Sequence, residues 1–219
     1  MSIRAHFESE LKDLKQQIKD LAIETKESLD TAIHVLYQGD VEKAREVMAN
    51  DQSIDDKEEK INEDAILMLA KQQPVARDLR RIITALKISS DLERMADHST
   101  NIAKATLHLG ENHGIEIDPD LREMAVRAMD MVDLAVMAFE NEDIALADKL
   151  SQMDDEVDEK CGNVVKRMLE RTANNPEQIQ HIMQMAYVAR YIERYADHIT
   201  NIGENIFYLV KGKSYDLNS

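Results

Sequence analysis

Two stretches of this chain carry residues whose types and spacing could hold a cation, and they are copies of each other. One runs from Asp91 to Ile102 and the other from Tyr191 to Ile202, and both keep Glu-Arg-x-Ala-Asp-His-x-Thr-Asn-Ile. Helix positions four apart lie about 40° apart around the axis and face the same way. Glu93, Asp97 and Asn101 therefore form one stripe, and Glu193, Asp197 and Asn201 another. A carboxylate stripe normally faces water, so its position relative to the apolar seam decides its meaning. In steps of three and four the first seam reads Leu79, Ile82, Leu86, Ser89, Glu93, Ala96, Thr100, Ala103, Leu107, and the second reads Ile179, Ile182, Ala186, Ala189, Glu193, Ala196, Thr200, Gly203, Phe207. Each glutamate takes a core-type position beside small residues that leave room for a ligand.

The helix before each copy repeats the anomaly. Asp51 and Asp154 occupy seam positions, and each is followed four residues later by a second acid, Asp55 and Asp158. If the two helices are antiparallel neighbours, as their short connection predicts, four carboxylates share one small volume in each half. Like charges so placed must raise their pKa values or find a cation. An all-oxygen donor set favours hard ions such as magnesium, manganese, calcium or ferric iron over zinc, and bridging carboxylates permit more than one ion. The competing reading is a set of ordinary helical ion pairs with Arg94 and Arg194. His98 and His198 stand well around the helix from the glutamates and read as exterior or inter-helix residues. Asn101 and Asn201 could lend an amide oxygen or a supporting hydrogen bond. Cys161 has no neighbouring cysteine or histidine and reads as core.

The positioning elements follow from the same periodicity. With 219 residues, three Pro, six Gly and no Trp, the chain is expected to be all-α, with six long helices in two duplicated three-helix bundles. The first bundle is expected over 1–110, a linker over 111–119, the second bundle over 120–213 and a tail over 214–219. Gly39-Asp40 should end the first helix and cap the second. Gln72-Gln73-Pro74 should end the second helix, with Pro74 in the first turn of the third.

The formal charge of −16 disfavours nucleic acid, whose phosphates need Lys and Arg, and disfavours direct adhesion to an anionic membrane. The single Cys161 and the lack of a visible targeting segment lead us to expect a cytoplasmic protein, reaching membranes only through partners.

With its duplicated Glu-Arg-x-Ala-Asp-His helices, the run Gln72-Gln73-Pro74-Val75-Ala76-Arg77-Asp78-Leu79-Arg80 and the ending Asn205-Ile206-Phe207-Tyr208-Leu209-Val210-Lys211-Gly212, nearly the whole chain resembles the PhoU family of phosphate-transport and phosphate-signalling regulators. The resemblance implies two similar three-helix bundles and a non-enzymatic, negatively regulating adaptor. Its implied partners are a phosphate ABC transporter, through its ATPase or membrane subunits, and a sensor histidine kinase; a homodimer is compatible with it. It also implies multinuclear metal sites, with iron, manganese, magnesium and zinc all open. The family's ligands map onto Asp51, Asp55, Glu93 and Asp97, and onto Asp154, Asp158, Glu193 and Asp197. Glu58 in the first half corresponds to Cys161 in the second, so the two clusters are expected to differ.

Two rival functions stand beside this one. A carboxylate-bridged di-iron oxidase of the ferritin type needs Glu-x-x-His on facing helices, whereas here the histidine follows the glutamate by five residues. A purely structural scaffold would use the same acids as ion pairs.

Overall fold

The structure, a computed structural model, describes residues 3–111 and 114–217. Asn112 and His113 of the expected linker, Asn218 and Ser219 of the expected tail, and Met1 and Ser2 lie outside the described residues. The fold is all-α. Six long helices run Ile3–Gln38 (α1), Val41–Gln72 (α2), Ala76–Leu109 (α3), Asp120–Asn141 (α4), Ile144–Asn174 (α5) and Ile179–Lys211 (α6).

Local chemistry sets the ends of these helices. Gly39, at φ 66, turns the chain out of α1, and the Asp40 carboxylate accepts from Lys43 N at 3.0 Å to cap α2. Asp143 caps α5 in the same way through Ala145 N and Leu146 N. Gly110 and Gly212 follow α3 and α6 at positive φ, where a side chain would be strained. Pro74 departs from expectation. Gln73 closes α2 in a left-handed conformation, Val75 is extended, and α3 begins only at Ala76, so Pro74 lies in the turn and outside the helix. In the second half Pro176 opens a short 3₁₀ turn, Pro176–Gln178, ahead of α6.

α1, α3, α6 and α4 form a closed ring of neighbours, with α2 on the α1–α3 edge and α5 on the α4–α6 edge. The two three-helix bundles thus share one continuous core. Its physical cause is a second apolar stripe on α3 and α6. Ala85, Ile88, Leu92, Met95, Ser99 and Ile102 are buried at steps of three and four, and Met185, Val188, Ile192, Tyr195, Ile199 and Ile202 repeat the stripe one hundred residues later. The stripe through Glu93 and Glu193 faces the outer helices, while this second one faces the other half. The first stripe also starts a turn later than its sequence pattern, with Leu79 and Ile179 exposed and Ile82 and Ile182 fully buried.

α3 and α6 run antiparallel, as their cross-contacts record. Arg80 Nε donates to Leu209 O at 3.0 Å, Thr84 Oγ1 to Asn205 O, and Asp91 meets His198 Nδ1 at 3.0 Å, while His98 stacks near Tyr191. Tyr195 is fully buried at the centre and its hydroxyl donates to Thr25 O in α1 at 3.3 Å. Residues 115–118, ahead of α4, are packed against the second bundle. Ile115 and Asp118 are buried, and Arg167 on α5 forks onto both Asp118 oxygens at 2.8 Å.

Candidate metal centres

In the second half the cluster lies between α5 and α6. Asp154 and Asp158 are one turn apart on α5, as are Glu193 and Asp197 on α6. One carboxylate oxygen from each of Asp158, Glu193 and Asp197 lies within 4.8 Å of the other two. Asp154 is only 4% exposed. Its carboxyl is pushed up to about 7, first by burial and then by the negative charges of Asp158, Asp197, Asp155 and Glu193. Asp154 Oδ1 and Glu193 Oε2 are buried without a hydrogen-bond partner. A buried acceptor left unpaired costs about 1–3 kcal/mol, so these two oxygens mark where a ligand is wanted.

The first-half cluster lies between α2 and α3 and is wetter. Asp51, Asp55, Glu58, Glu93 and Asp97 are all half-buried. Burial raises Asp51, the Thr100 hydroxyl opposes that shift, and the Asp97 charge adds to it. Burial and then Asp51 raise Asp55. Glu93 is raised by burial first, then by Asp97, against a smaller lowering by Arg94, with Asp55 and Glu58 raising it further. These mutual influences place the five acids in one electrostatic neighbourhood.

Ion pairing accounts for little of this. Arg94 and Arg194 are exposed, and among the described residues neither forms an ion pair with a cluster acid. The cation that does engage is Arg190, whose Nη1 meets Glu193 Oε1 at 2.7 Å. It stands one turn before Glu193 on α6, a spacing open to inspection in the sequence but overlooked beside the adjacent Arg194. Glu193 is raised by burial and by Asp197 even so, with Arg190 only opposing that shift.

The remaining motif residues go elsewhere. His98 and His198 stack on each other at the α3–α6 crossing, ring centroids 5.6 Å apart. Burial holds His98 down to about 4, so it is neutral there. Asn201 turns toward Asp91 on α3, and the Asn101 side-chain oxygen accepts from Lys104 at 3.3 Å. Neither amide is drawn to its cluster in this arrangement. Cys161 is buried beside the second cluster, where burial and then Glu193 push its thiol up, away from the reactive thiolate. Both clusters therefore offer oxygen donors, a set that fits hard cations.

The PhoU domain family matches this chain twice, over residues 18–106 and 121–206. The chain belongs to that family. The Thermotoga maritima phosphate-specific transport system accessory protein PhoU homolog 1 is 35% identical over 210 residues, covering 95% of this chain and 90% of the relative. The crystal structure of the phosphate transport system regulatory protein PhoU from Streptococcus pneumoniae superposes with a TM-score of 0.90 at 30% identity, covering 96% of this chain and 99% of that one. PhoU from Pseudomonas aeruginosa follows with a TM-score of 0.89 at 29% identity, over 94% and 100% of the respective chains. Each match includes the four acids of one cluster, Asp51, Asp55, Glu93 and Asp97 in the first and Asp154, Asp158, Glu193 and Asp197 in the second.

Proposed function

We propose that this chain is a non-enzymatic accessory regulator of a phosphate-specific transport system, acting as a metal-binding adaptor that restrains uptake and the starvation response when phosphate is plentiful. Relatives that it matches end to end are named accessory proteins of phosphate-specific transport, and that likeness carries the assignment of the system. No helix among the described residues is long and apolar enough to cross a membrane, so contact with the transporter would be made by the protein's surface. On this reading the chain works in the cytoplasm, against the transporter's ATPase or membrane subunits and a sensor histidine kinase.

Metal binding rests on a single observation: in the second half, oxygens of Asp158, Glu193 and Asp197 lie within 4.8 Å of one another, and beside them the buried oxygens Asp154 Oδ1 and Glu193 Oε2 have no hydrogen-bond partner, while among the described residues the first-half acids do not close to that distance. Asp51, Asp55, Glu93 and Asp97, with Glu58 beside them, would hold cations in the first half, and Asp154, Asp158, Glu193 and Asp197 in the second. A bound hard cation supplies the positive charge that these carboxylates lack. The carboxylates in turn tie α2 to α3 and α5 to α6, fixing the rotation of the two outer helices and hence the surface offered to a partner. The histidines of both motifs meet at the α3–α6 crossing and leave the clusters to oxygen donors, which favours a structural role over a ferritin-type oxidase.

The test is elemental analysis of the purified protein beside a variant with Glu93, Asp97, Glu193 and Asp197 changed to Ala. Stoichiometric metal in the parent and none in the variant is expected. Trivial metal in both would return the acids to a scaffold role, while retained partner binding by a metal-free variant would separate the adaptor role from the metal.

A further inference from the structure

The molecule has a second place where charge and apolar surface meet, at the end opposite the α3–α4 segment, where all four ring helices contribute. A cavity of about 220 Å³ opens there between α1, α3, α4 and α6. Its floor is apolar, formed by Leu14, Phe139 and Leu209, and its rim carries Lys12, Lys15 and Arg81 together with two carboxylates, Glu8 and Glu142.

The state of each rim group narrows what could enter. Arg81 is already spent, because its Nε meets Glu142 Oε1 at 2.7 Å and its Nη1 meets Asp78 Oδ1 at 3.2 Å. The two rim carboxylates are also taken, Glu8 by Arg4 Nε at 2.8 Å and Glu142 by Arg77 and Arg81. Lys15 differs. Its ammonium is half-buried, lies 5.6 Å from the Phe139 ring centroid and donates to the Glu140 backbone carbonyl at 2.5 Å. The Glu140 carboxylate is taken by Lys19. Among the described residues neither Lys12 nor Lys15 has a carboxylate at ion-pair distance. Burial lowers the Lys15 pKa, and the nearby Glu142 charge only partly opposes it, as expected for a desolvated ammonium without a direct ion pair.

We propose that this cavity binds a small amphipathic monoanion, a short-chain aliphatic or aromatic carboxylate whose hydrocarbon body lies on Leu14, Phe139 and Leu209 and whose head meets the Lys12 and Lys15 ammonium groups. Drug-sized ligands occupy about 300–1,000 Å³, so this cavity calls for a smaller molecule. Inorganic phosphate does not fit the chemistry: it has no apolar part for the floor, and the one guanidinium fork that could clamp it is occupied. Because all four ring helices line the site, such a ligand would brace the two repeats against each other, independently of the acidic clusters.

The experiment is isothermal titration of the full chain with hexanoate, alongside inorganic phosphate and hexylamine, repeated on Lys15→Met and on a distant control, Lys43→Met. The proposal expects saturable one-to-one binding of hexanoate, roughly tenfold weaker in Lys15→Met and unchanged in the control, with neither other probe binding. No hexanoate binding up to roughly ten millimolar would overturn it. So would phosphate binding as tightly as hexanoate, or equal hexanoate affinity in a folded Lys15→Met protein. Methyl chemical shifts in the unmutated protein decide the location should that variant not fold. Perturbation centred on Leu14, Ala85 and Leu209 supports the site, and perturbation elsewhere sinks it.

Discussion

The two acidic clusters share a duplicated plan and differ at two positions that change their electrostatics. Where α2 carries Glu58, α5 carries Cys161; where α3 carries the exposed Ser90, α6 carries Arg190, bonded to Glu193. Among the described residues the first cluster is therefore a half-buried group of five acids without an ion-paired arginine, and the second a group of four with one, in which Asp154 and Glu193 are buried, Asp197 is half-buried and Asp158 is exposed. Solvent tempers the repulsion in the first. In the second, burial replaces solvent at Asp154 and Glu193, and the cost concentrates on Asp154, whose pKa is pushed up to about 7. One repeat spreads its negative charge over half-buried carboxylates, and the other withholds part of it by holding a proton on a buried carboxyl below about pH 7.

The sharpest way to break this contrast is Cys161→Glu, which gives the second cluster the first one's fifth acid at a site only 4% exposed. Burying a further carboxylate among like charges should destabilise the metal-free protein by about 2–4 kcal/mol. Chemical denaturation should show the loss, and added divalent cation should recover much of it. The reciprocal Glu58→Cys should be nearly silent without metal, because Glu58 is half-exposed.

Asp154→Asn tests the other side of the contrast. Removing the buried charge while keeping the shape should stabilise the metal-free protein at pH 8 by about 1–3 kcal/mol. The same change should abolish stabilisation of the second repeat by metal. Asp51→Asn, in the wetter cluster, should give a smaller gain. A melting temperature lowered by Asp154→Asn would refute the assignment of strain to this residue.

A pH series sharpens the same point without mutation. The Asp154 pKa is raised in the fold, from 3.8 to about 7, so the folded state holds the proton more tightly than the unfolded one. This residue's favourable contribution is full below its unfolded value and is lost as pH rises through about 7. Metal-free protein should therefore lose stability between about pH 4 and 7 relative to Asp154→Asn, which should lack this part of the slope.

The smallest expected effect is that of Arg190→Ala. Its side chain is 55% exposed, so the bond to Glu193 is weakened by solvent and its loss should cost under about 1 kcal/mol. Metal uptake by the second cluster should tighten, since a competing cation has gone. Titration calorimetry of Arg190→Ala against the parent would read this, and weaker uptake would mean that Arg190 orients Glu193 for the metal.

Much of the molecule was legible in the sequence because the relevant information is local. Helix ends follow from Gly39, Asp40, Gly110 and Gly212, and the acidic pairs from spacings of four on a helix. The repeat made each half a check on the other. The reading failed where helices choose neighbours. A single stripe was read on α3 and α6, so Leu92 and Met95, with Ile192 and Tyr195, went unremarked although they join the halves. Proline suits a first turn and so points to Pro74 inside α3, whereas the backbone of Gln73 and Ala76, both at positive φ, sets the start of that helix after it.

The sequence by itself determined six helices, their punctuation, the duplication and which acids recur on the seams. Only the tertiary structure decided that the two bundles close into one ring, that Asp154 lies deepest, that Arg190 rather than Arg194 reaches Glu193, that the two histidines face each other, and that Lys12 and Lys15 line one cavity with an apolar floor. Capping and i,i+4 facing depend on residues within a turn or two, so the order of the chain encodes them directly. Burial, ion pairing and cavities depend on the rotation of each helix about its own axis against partners a hundred residues away. That rotation is settled by the packing of all six helices together.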